Sequence, residues 1–182
     1  MLLFKHPNCE KIKIGSVNVS SGHLTFFDPF LHQHFPNRLD QILDKGSFET
    51  FLYKFKDPVK SNGIIATQVV FKNTEPVNWQ DAEYLNDPKS DFHYTNSCGL
   101  IADTNIFNDQ TIESLKMHID NVIGTGTRET IGFYQFKPGK DINCVYFECG
   151  NGWYDQTADL KWGFDKDGKL CCLLVDFYSH LL

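Results

Sequence analysis

The stretch LKWGFDKDGKLCCLLVDFY, Leu160 to Tyr178, decides the fold. Two runs of strand-forming residues, Leu160–Phe164 and Lys169–Tyr178, flank Asp165-Lys166-Asp167-Gly168. Glycine takes positive φ at no steric cost, and aspartate hydrogen-bonds into its own turn. An Asp-Gly pair between two such runs therefore reads as a tight antiparallel hairpin. Just upstream, from Cys149, Gly150-Asn151-Gly152 opens an extended segment that leads into the first strand.

The same alternation recurs towards the N-terminus. Lys11–Ser20 places Ile12, Ile14, Val17 and Val19 between polar residues, which reads as a half-buried strand with a bend or bulge at Gly15-Ser16. Ser20-Ser21-Gly22 is a turn, His23–Phe27 a second strand, and Asp28-Pro29 stops it. Phe30–Leu43 reads as a loop with a short helical turn near Asp40–Leu43. Ser47–Phe55 and the apolar, central-looking Ile64–Phe71 make a hairpin around the turn residues between them. Pro76–Asp87 carries Trp79 and Ala82 at helical spacing. Asn96–Ala102, Ile131–Phe136 and Asn143–Glu148 read as further strands. Residues 109–123 form the clear helix: Ile112, Leu115, Ile119, Val122 and Ile123 share one face, and Gly124 can end it. With no βαβ alternation, a doubly wound parallel sheet is not expected. The expectation is an α+β domain, mainly antiparallel β. It would be a sandwich or curled sheet with one covering helix at about 109–123, and residues 1–182 would form a single domain.

Composition narrows the function. Sixteen Phe residues favour an aromatic β core. The net charge of −6, with Arg38 and Arg128 the only arginines and no basic run, argues against nucleic-acid binding, which relies on clustered Lys and Arg to displace counterions. The opening MLLFKHPNCEKIKIG does not read as a signal peptide, because its apolar run is only Leu2–Phe4. No run approaches the ~20 apolar residues of a membrane span. The six cysteines show no CxxC spacing and read as reduced, buried thiols of a cytoplasmic protein.

Several chemistries leave partial traces. A GxSxG nucleophile elbow is absent. His32-Gln33-His34 would set two imidazoles on one side of an extended segment, near Asp28 and His23. That quartet is the candidate for a hydrolase, metal-dependent in one version. Asp165-Lys166-Asp167-Gly168 opens like a calcium loop but lacks the terminal Glu, so a hairpin turn explains it better. No cofactor and no metal are expected. The remaining constellation is acidic and aromatic: Trp153, Tyr154, Asp155 and Asp159, just ahead of the hairpin. Trp and Tyr are favoured interface anchors, so these four are the candidate partner-binding residues. Packing of the aromatics over the core is the competing explanation.

The segment Val19–Leu24 with Phe27-Asp28-Pro29 resembles the opening motif of the DUF4241 family, a bacterial family of unknown function. The strand Phe48–Phe55, the apolar strand with Trp79 and Ala82 after it, and Gly99–Asp103 are similar to it too. So is the closing series Gly150–Tyr154, Trp162-Gly163, Asp165–Gly168 and Val175–Phe177. Asn151 stands where that pattern has an acid, and Asp155–Ala158 replaces a shorter connection. The resemblance implies a fold and no catalytic residues. The leading expectation is thus a non-enzymatic cytosolic binding protein. Its most concrete form is an immunity or antitoxin-like protein that neutralises a toxin, a basic domain, by direct binding. A hydrolase using Asp28 with His23, His32 or His34, and a regulatory module holding a small ligand inside a Phe-lined sheet, stay open.

Overall fold

The computed structural model describes residues 7–28, 38–56, 64–85, 93–95, 98–106, 113, 114, 117, 133–136, 144–148 and 156–177. Within them the chain is mainly β. Eleven strands run β1 Cys9–Val19, β2 Leu24–Phe27, β3 Gly46–Phe55, β4 Ile64–Val70, β5 Asn78–Asp81, β6 His93–Thr95, β7 Cys98–Asp103, β8 Phe133–Phe136, β9 Cys144–Glu148, β10 Gln156–Phe164 and β11 Leu170–Asp176. They form two sheets in which every described pairing is antiparallel. The larger has the order β1-β3-β4-β11-β10-β5, with β6 also on β10, and the smaller β2-β7-β9-β8.

The expected hairpin forms with β11 running Leu170–Asp176, Tyr178 lying outside the described residues, and β10 begins earlier, at Gln156. Gly168 has φ +73°, the left-handed conformation its turn position demands. The predicted bend in β1 is a register shift between Lys13 and Gly15, and Gly15 takes φ +147° there. β3 and β4 pair as the predicted hairpin, and β4 lies in the sheet interior between β3 and β11. It is buried from Ile64 through Val69, which explains why its sequence runs apolar instead of alternating.

One apolar core draws on both sheets. Val17 and Val19 of β1, Leu52 of β3, Trp162 of β10 and Val175 of β11 share it with Leu24 and Phe26 of β2, Ile101 of β7 and Phe147 of β9. Phe177, just past β11, joins the sheets: its ring lies 6.0 Å edge-on from Phe147 and 6.5 Å from Phe26. Each such buried side chain contributes about 1.5–3 kcal/mol through the water it no longer orders. A second, smaller cluster of Tyr53, Ile65, Ala66 and Leu174 lies on the opposite side of the larger sheet, edged by Phe51, Phe55 and Trp79. The central strands are therefore buried on both faces.

Two local expectations are corrected. The segment with Trp79 and Ala82 is not helical. Asn78–Asp81 is strand β5, because its backbone completes the ladder on β10 and Val77 and Ala82 donate to the carbonyls of Phe164 and Leu160. Asp40–Leu43 is not a helical turn either. Leu39 forms an antiparallel bridge with Tyr84, and the Asp40 amide donates to Glu83 O. Tertiary pairing overrides weak local propensity at both places. Of the helix expected at 109–123, residues 113, 114 and 117 are described and are helical, and the remainder lies outside the described residues. No helix among the described residues is long and apolar enough to cross a membrane.

Candidate functional site

The larger sheet alternates strictly at β10, and that alternation sorts its side chains. Ala158, Leu160 and Trp162 point into the core, so Asp159, Lys161 and Gly163 occupy the other face. Pairing carries that face across the neighbouring strands: Asp159 stands opposite Asp176, Lys161 opposite Leu174 and Asp81, and Gly163 opposite Cys172 and Trp79. A strip results with Asp81 and Trp79 on β5, Asp159 and Lys161 on β10, and Asp176 on β11.

Asp159 is exposed, whereas Asp176 is only 9% exposed. Directly opposed side chains have Cβ atoms about 4.5–5.5 Å apart, and like charges there are destabilising. Lys161 Nζ lies 3.7 Å from Asp81 Oδ1, on the β5 side. The Asp159 carboxylate thus keeps its charge directed outwards, with no partner among the described residues.

Trp79 takes its place from Gly163. A Cβ at residue 163 would lie 2.5 Å from Cys172 Sγ, 2.9 Å from Pro76 Cβ and 3.1 Å from Trp79 Cζ3. Only glycine lets the indole and the thiol close over the strand. Cys172 is 1% exposed, and burial pushes its thiol up to about 12, so it is a packing group and not a nucleophile. Cys171 points to the other side and donates to Gly163 O at 3.2 Å.

The sequence-predicted residues fall into three groups. Asp159 belongs to the strip. Trp153, Tyr154 and Asp155 lie outside the described residues, as do His32 and His34. Asp28 and His23 are described, and they stand at opposite ends of β2. Five residue steps of extended chain separate them by about 16 Å and turn them to opposite faces. His23 Nδ1 lies 3.3 Å from Leu39 O, and Asp28 is 2% exposed. The pair is therefore not brought together. Trp162 is fully buried and donates from Nε1 to Asp40 Oδ1 at 2.7 Å, so it is a core residue and not a surface anchor. No group of three or more His, Cys, Asp or Glu suited to a metal ion occurs among the described residues.

Two carboxylates that drew no attention in the sequence organise the fold around its motifs. Asp103 is 1% exposed and accepts the amides of Ser21 at 2.8 Å and Asn105 at 2.7 Å, besides that of Ser20. It thereby ties the Ser20-Ser21-Gly22 turn to the end of β7. Asp40 accepts from Trp162 and from the Glu83 amide at 3.1 Å, pinning the 38–43 segment to β10. Single aspartates carry no distinguishing pattern in sequence. Trp79, Asp81 and Asp176 were invisible as a set because three different strands supply the strip.

No family model, no curated protein and no solved structure matches this chain.

Proposed function

We propose that this is a non-enzymatic binding protein that docks a protein partner on the β5–β10–β11 strip. In its most concrete form it is a cytoplasmic, bacterial immunity or antitoxin-like protein that neutralises a basic toxin domain. The supporting observation is the exposed carboxylate of Asp159, which has no partner among the described residues. A cationic partner would pair with that exposed carboxylate. Trp79 supplies a half-buried aromatic beside it, and Asp81, whose side chain is 84% exposed, stands at the strip's edge in an ion pair with Lys161. Against a basic surface, a chain of net charge −6 gains association rate through long-range attraction. Trp153, Tyr154 and Asp155 are assigned to the same contact, since they directly precede β10. The resemblance to the DUF4241 family belongs to this proposal as an expectation of fold and bacterial origin.

Affinity capture of the tagged chain from its native lysate, with growth rescue from neighbouring toxin genes, tests the reading. A stoichiometric basic protein whose toxicity the chain suppresses is the expected result. Absence of both a stoichiometric partner and any rescue overturns it.

A further inference from the structure

We draw no further inference here: the strongest candidate, the outward backbone edge of β1 at Cys9, Lys11 and Lys13, is a sheet edge for which nothing in the structure shows what covers it.

Discussion

At the residue scale, Asp165 holds the β10–β11 turn with one carboxylate. Its oxygens accept from Lys72 Nζ at 2.7 Å, from the amides of Lys169 at 2.9 Å and Asp167 at 3.0 Å, and from Thr74 Oγ1 at 3.4 Å. The Lys72 hydrogen bond first, then the amides, hold its carboxyl down to about 2. An unfolded aspartate titrates near ~3.9, so the folded pKa is the lower one. The stabilisation is then present above roughly pH 4 and is lost as pH falls towards 2. Asp165→Asn should lower the melting temperature at neutral pH and flatten the acid limb between pH 4 and 2, read by thermal melts across pH. Gly99 packs its α-carbon beneath aromatic rings, where a Cβ would lie 2.6 Å from Phe26 Cε2 and 2.9 Å from Phe147. Gly99→Ala should cost about 1–3 kcal/mol in denaturant unfolding, because two stacked core rings must shift. Thr67 contrasts with both. It is fully buried, and its hydroxyl has no hydrogen-bond partner among the described residues. Thr67→Val keeps the shape and removes an unsatisfied polar group, so unfolding should be unchanged or harder by up to about 1 kcal/mol.

At the element scale, β1 shows how an edge strand is kept from pairing with other chains. Its pairing with β3 turns the backbone of Glu10 and Ile12 inwards and that of Cys9, Lys11 and Lys13 outwards, continuing the bond from the Lys56 amide to Asn8 O. Exposed lysines on such an edge oppose strand addition. Lys11 Nζ sits 4.0 Å above the Phe51 ring centroid, while Lys13 pairs with Glu49. Replacing both by valine should make the chain self-associate on warming, detectable by light scattering, while the wild type stays dispersed. The elements also show what sequence can and cannot convey. The β1, β3, β4, β10 and β11 strands were legible because alternation or a long apolar run spans each, and Gly15 and Gly168 mark where the backbone must bend. β5 was not: four residues, NWQD, three of them exposed, carry no period of their own. Their strand conformation comes from β10, more than 70 residues later in the chain. β6, three residues long, escaped for the same reason.

At the scale of the whole molecule, the two sheets meet through Phe26, Phe147 and Phe177, and the larger sheet is left with one acidic strip at its β5 side. The aromatic core was legible from the sixteen Phe residues. Of the candidate site, only Asp159 was singled out: Asp176 faces it across a hairpin the sequence announces, but Trp79 and Asp81 belong to β5, whose pairing with β10 no local pattern announces. The His23–Asp28 pairing failed for the opposite reason: closeness in sequence along an extended strand means distance and opposite faces in space. If the strip is the docking surface, reversing its charge at Asp159→Lys should slow association by roughly tenfold or more at low salt, with a smaller change in dissociation. The wild-type rate should fall steeply with ionic strength. The most direct measurement is amide hydrogen exchange on the chain with and without its captured partner. Slowed exchange in Asn78–Asp81 and the Gln156–Lys161 part of β10 is the expected result. Protection confined to the β2–β7 end of the smaller sheet, with the strip exchanging as in the free chain, would contradict the proposed docking surface.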